Sequence, residues 1–513
     1  MAGSGNTRRR LALLLLVVFC SLASSATAAA PAQASVTVLG AGSTWDQIAT
    51  TQFAADVHSL YGITINYQGV GSSAGREFYI ENQVDFGDSD IPFLAPELAR
   101  LQKEHKTFQY LPTVAGATGL MYNLRSTSGK LITNLQLDSR VLTGIFTGTI
   151  HSWRDPRILA ENPGLRSQIP SATIIPVVRA DGSGTSAMFS DYLRQMQPAM
   201  WRTFCAHYIP GPCGQISFWP LNLPNGVAQK GSDGVANYVQ QQTNTITYVE
   251  TGYALARNFP VVLVKNQSGR YVFPSSANDA TALRHARIQP DLISDLSGVH
   301  TAPEPNAYPI AGYSYMITPT KAQYGFTPQK GAVLGKFILY MACAGQQKAA
   351  QLGYSPLTPV LVRGVFAAVR RIPGAPAPPP ISQCANPTIT GHGSGGGASG
   401  NPGSTPQQQQ QQQQGSKSSK NHQKSGASGY NQTPQGATSQ AASAGLTPTA
   451  GVVLTATQLA ARRVTAARLI ADIKPPSNLP LLLAVLDLAL IVFCPWLIWH
   501  QRRRSPGDSP EGG

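Results

Sequence analysis

Three times within its first 190 residues the chain runs from an apolar extended stretch through a Gly/Ser loop into a helix-like segment. Ser35–Leu39 leads into GAGSTW (Gly40–Trp45) and then a segment from Asp46 to Leu60. The alternating stretch Ile63–Tyr67 leads into GVGSSAG (Gly69–Gly75) and then Arg76–Glu81, and VVRADGSGTS (Val177–Ser186) repeats the pattern. Strand, loop, helix is the repeating unit of an α/β domain, so that fold class is predicted. Each loop alone reads as a turn with a helix cap. Three of them, one carrying an arginine, read as an anion site. A helix start offers unpaired N–H groups and the positive end of a dipole. The Arg179 fork suits oxyanion pairs, and Ser183 and Thr185 add neutral donors.

DSDIPF narrows the anion. Asp88 and Asp90 follow the apolar Val84–Gly87 and so end a strand, or they merely cap the turn before Pro92. A carboxylate beside a bound anion repels it unless the anion brings a proton to donate. Monohydrogen phosphate brings one and sulfate does not, so a buried aspartate here would select by leaving sulfate unsatisfied.

GAGST, the YQGVGSS run from Tyr67, VDFGDSD (Val84–Asp90) and RADGSGTS from Arg179 resemble, in order and spacing, the ligand-binding segments of the phosphate-binding protein of the phosphate ABC transporter, the PstS family. GVANYVQ from Gly234, ITYVETGYA from Ile246 and AYPIAGYSY from Ala307 extend the resemblance, which covers Val36 to Arg371. It implies a phosphate site built from Thr44, the Trp45 backbone, Ser72, Asp90, Arg179, Ser183, Gly184 and Thr185. Asp90 would accept the phosphate proton, with Asp88 as the other aspartate able to do so. Trp45 departs from the family's usual phenylalanine, harmlessly if only its N–H contributes.

The resemblance also implies a two-lobed periplasmic-binding-protein-like fold of type II, with a hinge and a central ligand cleft. Residues 35–112 and 308–386 would form lobe one and 113–307 lobe two. The chain would cross near Thr113 and return near Tyr308, where YPIAGYSYMI re-enters lobe one's sheet as a strand. Closure about the hinge would bury the ion.

Arg8–Arg10, the apolar run Leu11–Ala23 and small-residue sites ending at Ala28 and Ala34 read as a signal peptide over residues 1–34. Phe19 ahead of Cys20 is too large for the usual lipoprotein cleavage site. Residues 479–500 read as a transmembrane helix, and Arg502–Arg504 place the tail, 501–513, in the cytoplasm. Asp487 within that span is costly and expected to find a partner or water. A membrane-anchored, extracytoplasmic binding domain follows. Pro, Gly, Ser and an unbroken Gln407–Gln414 make 387–450 a disordered linker. As a random coil it would span about 45 Å. Residues 451–474 read as a basic amphipathic helix lying on lipid, or an alanine-rich stalk.

Cys20 leaves with the signal and Cys494 lies in the predicted span. The other four are expected to pair as Cys205–Cys213 and Cys343–Cys384, as an oxidising compartment allows. No His or Cys cluster has metal-ligand spacing, and only His207 lies near a cysteine pair, so neither a metal nor a cofactor is expected. The net charge of +15 is scattered over termini, linker and stalk, without a groove-tracking run. Nucleic acid is therefore not an expected partner.

Gly71–Gly75 matches the nucleophile-elbow pattern G-x-S-x-G, with Asp233 and His285 or His300 as formal partners for Ser73. Such short motifs arise by chance in Gly/Ser-rich chains, and no enzyme is expected. Nor is there a Walker-type phosphate loop, so any ATP hydrolysis belongs to another chain. The expected function is capture of inorganic phosphate and delivery to an ABC permease. A sensor or a surface protein without a transport role is the alternative.

Overall fold

The computed structural model describes residues 36–391; the predicted signal peptide, nearly all of the linker, the basic helix and the transmembrane span lie outside the described residues. Among the described residues no helix is long and apolar enough to cross a membrane.

One nine-stranded sheet organises the chain. Its strands are β1 (Thr37–Gly42), β2 (Thr64–Gly69), β3 (Phe86–Ser89), β4 (Gln109–Asn123), β5 (Ile175–Arg179), β6 (Val227–Gln229), β7 (Thr245–Glu250), β8 (Ala311–Thr318) and β9 (Tyr354–Ser355). They lie in the order β2-β1-β3-β8-β4-β7-β5-β6, with β9 paired to β4. All fifteen residues of β4 are buried, and it serves two half-sheets in turn. Its first part pairs with β8, from Gln109 opposite Thr318 to Ala117 opposite Ala311. Its second part pairs with β7, from Thr118 opposite Glu250 to Asn123 opposite Thr245. The change of partner falls between Ala117 and Thr118, a few residues beyond the crossing expected at Thr113. An unbroken strand can do this because β pairing constrains each residue only to its direct neighbour.

Within the first half-sheet β1 is parallel to both β2 and β3. Helix α1 (Gln47–Tyr61) connects β1 to β2, and α2 (Ser72–Ile80) connects β2 to β3. β1 thus sits where the strand order reverses, and the loops leaving the carboxyl ends of β1, β2 and β3 gather beside that switch point. Ligands of open α/β sheets bind at such a crevice. The second half-sheet repeats the arrangement with β5 parallel to β6 and β7. Its helices α3 (Gly184–Met196) and α4 (Gly231–Gln241) follow β5 and β6.

Local chemistry explains where helices begin. Ser183 caps α3 by accepting from the Ser186 N–H, and Thr327 and Thr358 cap the helices Pro328–Ala342 and Pro359–Val369. Proline at the first helical position costs nothing, because that N–H has no intrahelical acceptor. One apolar cluster packs the helices 328–342 and 359–369 and the β1–β3 region through Phe53, Phe86, Phe337 and Phe366. A second draws on residues between Ala117 and Ile310 and includes Phe146, Phe189, Trp201 and Trp219.

Disulfides join Cys205 to Cys213 and Cys343 to Cys384. The second pins the segment after residue 373 to the helix 328–342, where Asn386 Nδ2 also donates to the Ala342 and Leu357 carbonyls at 3.0 and 3.2 Å. The sequence separations are 41 and 8 residues. Loop-closure entropy then makes the long bridge worth about 4 kcal/mol and the short one about 2.5. Urea unfolding of Cys343→Ser/Cys384→Ser should show the larger loss of stability, and the reverse order would mean that chain entropy does not govern these bridges.

Candidate functional site

Carboxyl-end loops of the two half-sheets meet face to face. From the first come Ser43 and Thr44 after β1, Ser72 after β2 and Asp90 after β3. From the second come Arg179 at the end of β5, Ser183–Thr185 opening α3, and Gly231–Ser232 opening α4. Ser72, Asp90, Arg179, Ser183 and Thr185 are each no more than 5% exposed. The contact between halves is intimate. The Ser73 N–H donates to the Gly182 carbonyl at 3.1 Å. Thr44 Oγ1 and Ser232 Oγ share a hydrogen bond of 2.9 Å, and the Ser232 N–H donates to Thr44 Oγ1 at 3.2 Å. A Cβ on Gly184 would lie 2.5 Å from both Asp90 Oδ2 and Ser72 Oγ. Only glycine lets the first turn of α3 approach Asp90 this closely. Gly71, with φ of 96° and the Asp181 carboxylate directly beside it, is the second such position.

Asp90 is the centre of the network. Its Oδ1 accepts from Ser43 Oγ at 2.6 Å and lies 2.7 Å from Ser314 Oγ, while Oδ2 accepts from Ser72 Oγ at 3.3 Å. Burial pushes the Asp90 carboxyl up; the Ser43 and Ser314 hydroxyls, the Arg179 guanidinium and Ser72 pull it back only in part. Arg179 is held by Asp181: Nε donates to Oδ1 at 2.8 Å, and Nη2 pairs with Oδ2. Asp181 Oδ1 also accepts from the Gly231 N–H at 2.8 Å. Burial would raise Asp181, yet the Arg179 hydrogen bonds and charge hold it below the usual carboxylate range. Two of the five guanidinium N–H donors are thus spent on orientation.

Thr185 Oγ1 is buried with no partner. An unpaired buried hydroxyl costs about 1–3 kcal/mol, which marks a donor arranged for something other than the protein. It sits on the first turn of α3, whose leading N–H groups have no intrahelical acceptor. A buried arginine fork, a helix start, hydroxyls and one carboxylate can together hold a tetrahedral oxyanion that donates one hydrogen bond.

The structure brings Thr44, Ser72, Asp90, Arg179, Ser183, Gly184 and Thr185 together. Trp45 stands differently. Its N–H donates to Ser43 Oγ at 2.9 Å, and its ring is buried away from the loops, Nε1 donating to Thr118 Oγ1 at 3.3 Å. Ser43, Asp181, Ser232 and Ser314 join the site without having been singled out. Asp181 was legible as the acidic residue two beyond Arg179, and Ser43 as the hydroxyl beside Thr44. Ser314 and Ser232 carry no local signal, since only the sheet order brings them here.

The hydrolase constellation is not assembled. Ser73 Oγ has no partner. His285 Nε2 lies 2.9 Å from Glu304, His300 Nδ1 lies 2.7 Å from the Pro309 carbonyl, and Asp233 pairs with Arg257. Among the described residues no group of His, Cys, Asp and Glu has the arrangement of a metal site.

The PBP superfamily domain is matched over residues 27–344. The chain is 33% identical over 334 residues to the phosphate-binding protein PstS of Xylella fastidiosa strain Temecula1, covering 65% of this chain and 85% of that protein. It is 30% identical over 322 residues to PstS of Haemophilus influenzae, covering 63% and 89%. Among solved structures, a periplasmic phosphate-binding protein bound with phosphate, PfluDING, aligns at 20% identity with a TM-score of 0.50. That alignment covers 65% of this chain and 93% of that one.

Proposed function

The chain belongs to the PBP superfamily and, within it, to the PstS phosphate-binding proteins, and on that premise we propose that it captures inorganic phosphate between its half-sheets. It is a binder and not an enzyme. Thr44, Ser72, Ser183, the leading amides of α3 at Gly184 and Thr185, and the Arg179 fork supply hydrogen bonds to the phosphate oxygens. Asp90 takes the one hydrogen bond that phosphate can donate. The observation that carries this reading is the buried, partnerless Thr185 hydroxyl, on the helix turn that packs against Asp90 and Ser72.

Residues 35–112 with 308–386, and 113–307, act as lobes one and two. They are hinged where β4 changes partner and where the chain returns through Tyr308, whose hydroxyl donates to the Thr118 carbonyl at 3.0 Å. Parting them releases the Ser73–Gly182 and Thr44–Ser232 contacts and opens the cleft. The binding domain works outside the cytoplasm, tethered through residues 479–500, and passes phosphate to an ABC permease. Trp45 serves as packing, with its N–H committed to Ser43.

Calorimetry of the purified full-length chain at neutral pH tests the reading. Phosphate should bind, with sulfate at least about a thousandfold weaker, because the site offers sulfate an acceptor where it needs a donor. Equal affinities would remove the basis for the role of Asp90.

A further inference from the structure

Asp90 stands just past the end of its strand. The ladder between β3 and β8 ends with Ser89 opposite Tyr315, so sheet pairing does not hold the Asp90 backbone. Its N–H donates instead to Ser72 Oγ at 3.2 Å. The carboxylate is held unevenly. Oδ1 meets two hydroxyls at 2.6 and 2.7 Å, whereas Oδ2, the oxygen beside Gly184, has only Ser72 at 3.3 Å. Where Oδ2 points is therefore set by the turn that carries it. That turn is built on the Ser89 hydroxyl, which donates to the Ile91 carbonyl at 2.6 Å and accepts from the Ile91 N–H at 3.3 Å. Its other lone pair accepts from Arg76 Nη1 at 2.9 Å. A hydroxyl has one proton and two lone pairs, so with Arg76 in place all three are used and the rotor is fixed.

Arg76 lies four residues after Ser72 on α2, hence on the same helix face, and is 1% exposed. Its Nε donates to Glu97 Oε2 at 2.8 Å, and the same oxygen accepts from the Leu94 N–H at 2.7 Å, ahead of the helix Ala95–Lys103. One guanidinium thus joins the helix that opens with Ser72, the turn that carries Asp90 and the helix that follows it. Its ion pair with Glu97 is neutral overall and adds no net charge to the anion site.

We propose that Arg76 is the positioning residue behind the selectivity of Asp90: by fixing the Ser89 turn it aims Asp90 Oδ2 at the ligand, and discrimination between phosphate and sulfate depends on it. This rests on the reading of the pocket as a phosphate site. Selection by an acceptor demands more precision than attraction by a cation. Oδ2 has to meet the phosphate proton along one direction, and a displacement of about half an ångström already weakens such a contact. The same displacement relieves sulfate, whose oxygens would otherwise face the carboxylate without a hydrogen between them. Arg179, Thr185 and the first turn of α3 lie on the other half-sheet and do not depend on Arg76. Loss of Arg76 should therefore lower the affinity for phosphate while sparing that for sulfate.

Calorimetric titration of the full-length chain with phosphate and with sulfate, at neutral pH, reads the ratio of the two affinities. Arg76→Met keeps an unbranched side chain without the guanidinium and should lower that ratio about tenfold or more. Ser89→Ala, which removes the hydroxyl and leaves Arg76, should lower it equally. The double variant should lose no more than either single one, because both act through one contact. Arg76→Lys should fall between, since an ammonium cannot fork to Ser89 and Glu97 together. Arg100→Met breaks the exposed pair with Glu77, also on α2, and should leave the ratio unchanged. If wild type binds no phosphate, or binds sulfate equally well, the reading of the pocket falls. If wild type is selective and both Arg76→Met and Ser89→Ala keep its ratio, or weaken both anions by one factor, the role of Arg76 alone is overturned. Should Arg76→Met not fold, Ser89→Ala and Arg76→Lys decide by the same criterion.

Discussion

Phosphate affinity should fall at least a thousandfold in Arg179→Ala, the largest loss expected from any single side chain in the molecule. Two effects add. The ligand loses its bidentate cationic partner, and Asp181, only 10% exposed, is left as a carboxylate without its counterion. Removing one partner of a buried pair costs about 3–5 kcal/mol, or two to nearly four powers of ten in binding. The stranded charge then faces the incoming anion. The double variant Arg179→Ala/Asp181→Asn separates the two effects. It should recover the part caused by the stranded carboxylate, while remaining far weaker than wild type. Arg179→Lys should fall between, because an ammonium keeps the charge but cannot fork to Asp181 and the ligand together. Equilibrium dialysis with labelled phosphate covers the required range. A loss within tenfold for Arg179→Ala would mean that the arginine orients Asp181 and contributes nothing to the anion.

What could be read from the sequence, and what could not, divides along a physical line. Strand–loop–helix units are local, set by apolar runs, Gly/Ser loops and caps such as Ser183, and they appear close to their expected bounds. α1 was expected at Asp46–Leu60 and stands at Gln47–Tyr61. α2 starts earlier than its expected Arg76, at Ser72, because the residues after Gly71 already adopt helical geometry. Ser72, Arg179 and Thr185 were legible because each lies at the carboxyl end of a strand or the start of a helix, where backbone donors are free. Ser314 was invisible because it sits mid-strand, and only the antiparallel pairing of β8 with β3, which sets Tyr315 against Ser89, carries it to Asp90. Asp46 reads as an ordinary residue at a helix start, yet its side chain caps nothing and turns inward to accept from Thr113 on β4 at 3.0 Å. Register between distant strands decides both, and one sequence carries no direct signal of it.

Asp90→Asn should erase selectivity more than it erases binding. The orientation of the new amide is dictated by its neighbours: Ser43 and Ser314 both address the Oδ1 side, so the carbonyl oxygen stays there to accept from them. The NH2 then takes the Oδ2 position, beside Gly184 and Ser72. Ser72 can accommodate the change, because its hydroxyl oxygen accepts as readily as it donates. Where phosphate met an acceptor for its proton, it now meets a donor and must present a bare oxygen. It keeps Arg179 and the first turn of α3, so its affinity should drop by about ten- to a hundredfold, the cost of one charge-assisted hydrogen bond. Sulfate gains by the same exchange. In wild type its oxygens would face the Asp90 carboxylate with no hydrogen between them, whereas in the variant each of its contacts is with a donor. The ratio of phosphate to sulfate affinity, at least about a thousand in wild type, should collapse to within about tenfold. Asp90→Ala should restore sulfate less well, since it removes the repulsion without supplying the donor. Competition calorimetry with both anions measures the ratio directly, and an unchanged ratio in Asp90→Asn would move the acceptor role to Asp88.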